Sequence, residues 1–91
     1  APLHIACQRG KSEIVKVLMN NERIDLNETD KYRKTCLHYL CSNCEIELLK
    51  LFIDNENIDV NKENKEGETP FYIACGEGDK NIVELMMNNS N

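Results

Sequence analysis

The segment TCLHYLCSNC, Thr35 to Cys44, places three cysteines and a histidine within ten residues, and Cys41 and Cys44 stand in a C-x-x-C spacing. Thiolates and imidazole at such spacing are the donors of a zinc site or the reactive pair of a redox site. Either chemistry would centre on Cys41 and Cys44, with His38 as a further donor. The geometry of a helix argues against the full set. Cys36 and Cys44 are eight positions apart, which a helix spreads over about 12 Å. Ligands of one zinc each lie about 2.3 Å from the metal.

The elements that carry these residues recur along the chain. At a shift of 34 positions, Pro2-Leu3-His4-Ile5-Ala6-Cys7 falls on Cys36-Leu37-His38-Tyr39-Leu40-Cys41, and that falls on Pro70-Phe71-Tyr72-Ile73-Ala74-Cys75. Glu13-Ile14-Val15-Lys16 falls on Glu47-Leu48-Leu49-Lys50, and Ile24-Asp25-Leu26-Asn27 on Ile58-Asp59-Val60-Asn61. Self-similarity at a fixed period of this size is the mark of a stacked repeat array. Each unit reads as two short helices. Pro2 and Pro70 suit a first helical turn, where a missing N–H costs nothing. Thr35 and Thr69 stand one position earlier and can cap free amides. Gly10 and Gly78 come about two turns later, where a left-handed residue ends a helix. The second helix carries an apolar stripe: Ile14, Val15, Leu18 and Met19, then Leu48, Leu49, Phe52 and Ile53, then Ile82, Val83, Met86 and Met87. Between units, Glu28 to Lys34 and Lys62 to Glu68 are polar and rich in turn formers, and read as exposed hairpin-like loops.

On these residues the chain resembles ankyrin repeats, whose signature is T-P-L-H-x-A at a period of about 33. The motif stands here as APLHIA, TCLHYL and TPFYIA, followed by SEIVKVL with DLN and EIELLKLF with DVN. Tetratricopeptide repeats share the period of about 34 but lack the proline at the head of the first helix and the D-V-N segment. The resemblance implies an all-α solenoid of stacked helix-turn-helix pairs joined by β-hairpin-like loops. It covers residues 1–91 as one domain fragment, with a partial unit over 1–29, a full unit over 30–63 and a partial unit over 64–91. The abrupt start within a unit and the apolar stripe of the last helix read as a piece of a longer array. Such a piece is a monomeric module in its parent chain, with a tendency to self-associate when isolated.

The repeat gives each cysteine a structural slot. Cys7, Cys41 and Cys75 share one slot and are expected to form a column along the core, where a thiol acts as a small hydrophobe. Cys36 stands at a proline slot and Cys44 at a glycine slot, which puts Cys44 in a left-handed cap. His4 and His38 share a slot whose histidine, by the resemblance, hydrogen-bonds neighbouring backbone. No phosphate-cradling loop, carboxylate pair or H-E-x-x-H is present. The sequence therefore gives no reason to read an enzyme, a metal site or a cofactor.

Composition narrows the partners. In 91 residues, 41% are hydrophobic and 30% charged, with a net charge of −5. A negative balance argues against binding a nucleic-acid backbone. No run of about 18 apolar residues marks a membrane span. Five cysteines, an odd number, fit reduced thiols in an intracellular, cytoplasmic setting.

The resemblance implies a protein partner, bound by the hairpin tips and the edge of the first helices. Those positions are Lys31, Tyr32, Arg33 and Lys34 on the first finger, and Lys65, Glu66 and Glu68 on the second. Along the helix edge they are Gln8 and Arg9, Ser42 and Asn43, Gly76 and Glu77. Among these, Arg9, Lys31, Tyr32, Arg33, Lys34, Asn43, Lys65, Glu66, Glu68 and Glu77 are the candidate contact residues. The first finger is mainly positive and the second mainly negative, so the expected face runs from positive to negative. Arg33 replaces the glycine that Gly67 supplies in the second finger, so the first finger is expected to bend differently or to be held by a partner. By the same resemblance, Asn27 and Asn61 stand where ankyrin-repeat asparagines are sometimes hydroxylated. Two other readings stay open: a thiol- or metal-dependent regulatory domain centred on Cys41 and Cys44, and a spacer that orients neighbouring domains.

Overall fold

The computed structural model describes residues 1–89. Six helices occur among them, and no strand: α1 (Pro2–Gln8), α2 (Ser12–Met19), α3 (Cys36–Ser42), α4 (Ile46–Ile53), α5 (Pro70–Glu77) and α6 (Lys80–Asn89). They pair as α1/α2, α3/α4 and α5/α6, one pair per unit. The first helices lie side by side, α3 between α1 and α5, and α4 packs against α3 and α6. This is the all-α stack that the repeat pattern predicts.

Local chemistry sets the helix ends. Thr69 Oγ1 accepts from the Tyr72 N–H at 3.1 Å, capping α5. Each first helix closes on a residue of positive φ: Gly10 at 64°, Cys44 at 55° and Gly78 at 78°. Beyond it the chain turns back, and the Lys11 N–H reaches the Ala6 carbonyl at 3.0 Å as the Glu45 N–H reaches Leu40 at 3.0 Å. These six-residue closures satisfy carbonyls that the helix leaves open.

The fingers repeat a second device. Asp30 Oδ1 accepts from the N–H groups of Tyr32 and Lys34, each at 2.9 Å. Thirty-four positions on, Asn64 Oδ1 accepts from Glu66 at 2.9 Å and Glu68 at 3.0 Å. Asp and Asn are the residues able to mimic a backbone turn in this way. Arg33 lies at φ 61° and Gly67 at φ 76°. Their N–H groups close the same turn, onto Asp30 at 2.9 Å and Asn64 at 3.0 Å. The expectation that the first finger bends differently is thus corrected: Arg33 takes up the left-handed backbone that glycine adopts more cheaply.

Burial sorts the slots by direction. Ile14 is 54% exposed, while Leu48 and Ile82 in the same slot are 3% and 0% exposed. This slot is covered wherever a unit precedes it. The histidine slot behaves oppositely: His4 is 4% and His38 1% exposed, but Tyr72 is 63% exposed. It is covered wherever a unit follows. Cys7 and Cys41 are buried, whereas Cys75 is exposed. The expected column of three core cysteines is therefore corrected to two, because among the described residues no unit lies over Cys75. The core itself is Leu37, Leu40, Leu49 and Phe52 of the middle unit, all fully buried. Each such side chain contributes about 1.5–3 kcal/mol by the area it removes from water.

Candidate protein-binding face

Histidine ties each first helix to the finger after it. His4 Nε2 and His38 Nε2 donate to the carbonyls of Glu28 and Glu68, each at 2.8 Å. A carbonyl can only accept, so Nε2 carries the proton and Nδ1 is an acceptor. His38 Nδ1 accepts from the Thr35 N–H at 3.0 Å and the Thr35 hydroxyl at 2.9 Å. His4 Nδ1 is buried without a partner, because Ala1 fills the threonine slot and offers no hydroxyl. Burial lowers the His38 pKa and the bond to Glu68 partly opposes it; the Lys34 charge lowers it further.

The fingers are joined to each other and to α3. The Lys65 N–H donates to the Tyr32 carbonyl at 3.0 Å. The Tyr39 hydroxyl donates to Asp30 Oδ2. Lys34 Nζ lies 5.8 Å from the centre of the Tyr32 ring and 5.4 Å from that of Tyr39, and Lys31 Nζ lies 5.2 Å from Tyr32. Cations over ring faces are held by the ring quadrupole. Burial raises the Asp30 pKa, but hydrogen bonds from Tyr39, Lys34 and Tyr32 outweigh it and hold the carboxyl below its ordinary value. Burial, then the Asp30 bond, raises the Tyr39 phenol. Asp30 thus holds the finger together as an ionised carboxylate, beside Lys31 and Arg33, which are exposed, and Lys34, which is half-buried.

Between the fingers and the first helices lies a groove of about 630 Å³, lined from three units. Lys34, Asn43, Glu68 and Glu77 of the predicted contact residues line it, together with Gln8, Ser42 and Gly76. Lys31, Tyr32, Arg33, Lys65 and Glu66 are exposed on the fingers outside that lining. Arg9 is placed elsewhere, on the outer end of the first unit beside Pro2, Ile5 and Ile14. Four further lining residues, His38, Tyr39, Tyr72 and Ile73, were not among the predicted contact positions. The signal for Tyr72 was available: it is an aromatic in a histidine slot of the last unit. Asn43 has a structural task as well, since its amide donates to the Gln8 carbonyl at 3.0 Å.

Asn27 links units one and two. Its amide donates to the Asn57 carbonyl at 2.8 Å and its oxygen accepts from the Asp59 N–H at 2.7 Å.

The cysteine cluster does not converge. Cys41 is fully buried, and burial pushes its pKa up to about 12. Cys36 is buried against Cys7, whose hydrogen bond, together with burial, raises its pKa far above the ordinary value. Cys44 is half-buried; burial, then the nearby Asp79 carboxylate, raises its pKa. Both His38 nitrogens are already engaged. Among the described residues no three His, Cys, Asp or Glu side chains come together as a metal site requires.

Comparison with known proteins agrees with the geometry. The family model for ankyrin repeats (3 copies) matches residues 1–64. None of the curated proteins compared with the chain matches it. Ankyrin repeats are in general protein–protein interaction modules without catalysis. Among the described residues no helix is long and apolar enough to cross a membrane. With about seventy per cent of its length matched (64 of 91 residues), and with six helices stacked in three like pairs, the chain belongs to the ankyrin repeat family.

Proposed function

We propose that this chain binds a protein partner along the groove and the two finger tips, and that it does so without catalysis. The observation that carries this reading is the unneutralised charge on either side of the groove. Among the described residues the one ion pair is Lys50 with Glu47, far from the fingers in sequence and exposed. Lys31, Arg33 and Lys34 on the first finger and Glu63, Glu66 and Glu68 on the second have no ion-pair partner among the described residues, although Lys34 lies over two rings and Glu68 Oε1 accepts from the Asn64 amide at 2.9 Å. A partner with the opposite gradient fits that face, an acidic segment toward the first finger and a basic one toward Glu68 and Glu77. Such complementarity raises the association rate more than the affinity and weakens with salt.

Tyr32 is the best single anchor, because exposed aromatics are over-represented among hot spots and its ring is already oriented by Lys31 and Lys34. The thiol- or metal-dependent reading finds no converging donor set at Cys41 and Cys44. Five cysteines without a disulfide among them fit a reducing, cytoplasmic setting.

The test is affinity capture with the intact protein, repeated with Tyr32→Ala and Arg33→Ala. Alanine replacement through Lys31 to Lys34 extends it. Partner affinity is expected to fall about tenfold or more while thermal stability holds. An unchanged affinity across the whole finger would assign the chain a spacer role instead.

A further inference from the structure

We propose that Tyr32 is a phosphorylation site and that a phosphate there switches off the positive finger. The switch rests on the reading that this finger meets an acidic segment of the partner.

Tyr32 stands at the tip of the first finger and is 51% exposed. Its slot stays open inside a stack. Tyr32 is exposed with a unit after it, and Glu66, in the same slot thirty-four positions on, is exposed with a unit before it. Exposed turn tips are where enzymes reach a folded chain. The Tyr32 ring lies beside two ammonium groups, but among the described residues no hydrogen bond holds its hydroxyl. Tyr39 differs: it is half-buried and its hydroxyl donates to Asp30. Of the two tyrosines around this finger, Tyr32 is the one that offers an open oxygen to a phosphoryl donor.

The turn already accepts an anion in this slot. The Glu66 N–H donates to Asn64 Oδ1 at 2.9 Å, as the Tyr32 N–H donates to Asp30 Oδ1 at 2.9 Å. Gly67 and Arg33 then close the same turn. A carboxylate at the tip of the second finger leaves the turn intact. A phosphate at the tip of the first stands farther from the backbone, at the end of a ring, and is expected to leave it intact too.

Charge gives the modification its effect. Asp30 stays ionised, so Lys31, Arg33 and Lys34 leave the finger a balance of two positive charges. A phosphotyrosine carries about −1.5 to −2 at pH 7 and cancels that balance. Lys31 Nζ and Lys34 Nζ already lie 5.2 and 5.8 Å from the ring centre. The phosphate oxygens draw them into charge-assisted hydrogen bonds. The ammonium groups that a partner's carboxylates would meet are then taken.

The step is a phosphoryl transfer from a nucleoside triphosphate, carried out by a tyrosine kinase. The phenol oxygen of Tyr32 forms a bond to the γ-phosphorus, and the bond from that phosphorus to the β-phosphate oxygen breaks. Nucleoside diphosphate leaves, and the phenol proton passes to the base of the kinase.

The test treats the folded 91-residue chain with MgATP and a tyrosine kinase of broad specificity, and reads the products by peptide mass. Tyr32 is expected to gain one phosphoryl group and Tyr39 none, with Tm unchanged. Binding of a hexaglutamate peptide at low salt is then compared. The parent is expected to bind with an affinity that falls as salt rises. The phosphorylated chain and Tyr32→Glu are expected to bind about tenfold more weakly or less. Tyr32→Phe should keep the peptide and take no phosphate at this position. Tyr32 left bare in the folded chain, under conditions that modify a free peptide of residues 28–36, overturns the proposal. So does a phosphorylated chain that unfolds, or one that holds hexaglutamate as tightly as the parent. A parent that does not hold the peptide contradicts the acidic-partner reading instead. The switch then falls with that reading, while phosphate found on Tyr32 upholds the acceptor site.

Discussion

His4 and His38 fill one slot and make the same bond to a finger carbonyl, yet only His38 has a partner at Nδ1. The Thr35 N–H points at His38 Nδ1, so a proton added there meets a donor rather than an acceptor. Burial adds to that cost. An unfolded chain takes up this proton near pH 6.5, the folded chain only at lower pH. Between those values the unfolded state holds more protons. Stability is therefore complete above about pH 6.5, falls as pH drops through the window and levels off below the folded pKa. Urea melts of the protein from about pH 7.5 to 5 should show this decline, and His38→Gln, less stable at neutral pH, should show a flatter one. The backbone role of histidine was legible from the family resemblance. The Tyr39–Asp30 bond was not, because nine positions separate the two and only the folding of a finger back onto α3 brings them together.

At the scale of the element, the ends of the first helices carry a measurable cost. Cys44 holds φ 55° where Gly10 and Gly78 hold 64° and 78°. A side chain in this left-handed region costs on the order of 1 kcal/mol relative to glycine. Cys44→Gly is expected to raise the unfolding free energy by about that amount, less the contact of the thiol with Asp79. Equilibrium denaturation checks it, and a loss of stability would show that the thiol contact outweighs the backbone strain. The strained slot was legible in the sequence, since Cys44 aligns with two glycines. The same reasoning misjudged Arg33, where strain was expected to alter the turn. The hydrogen bonds from Tyr32 and Lys34 to Asp30 hold the finger in shape, and the backbone of Arg33 conforms to them.

At the scale of the molecule, a repeated sequence does not give repeated exposure. Every slot has a side, and its burial depends on whether a neighbouring unit lies on that side. Cys75 was read as a core residue because it aligns with Cys7 and Cys41, and alignment alone says nothing of what covers the last unit. The groove was foreseeable as an edge of the first helices, and Gln8, Ser42, Asn43, Gly76 and Glu77 do line it. Arg9 does not, because in the first unit that slot lies at the outer end of the stack. Asp30 stays ionised within its finger, so the first finger carries one negative charge beside Lys31, Arg33 and Lys34.

The claim beneath all of this is that like helical pairs are piled in register, so that one thiol slot is sealed inside and open at the end. Maleimide labelling of the native protein, resolved by peptide mass, reads that slot directly. Cys75 is expected to label first and Cys44 more slowly, its thiolate disfavoured by burial and Asp79. Cys7, Cys36 and Cys41 should label only at the rate of unfolding. Cys7 or Cys41 reacting as fast as Cys75 in the folded protein would contradict the stack.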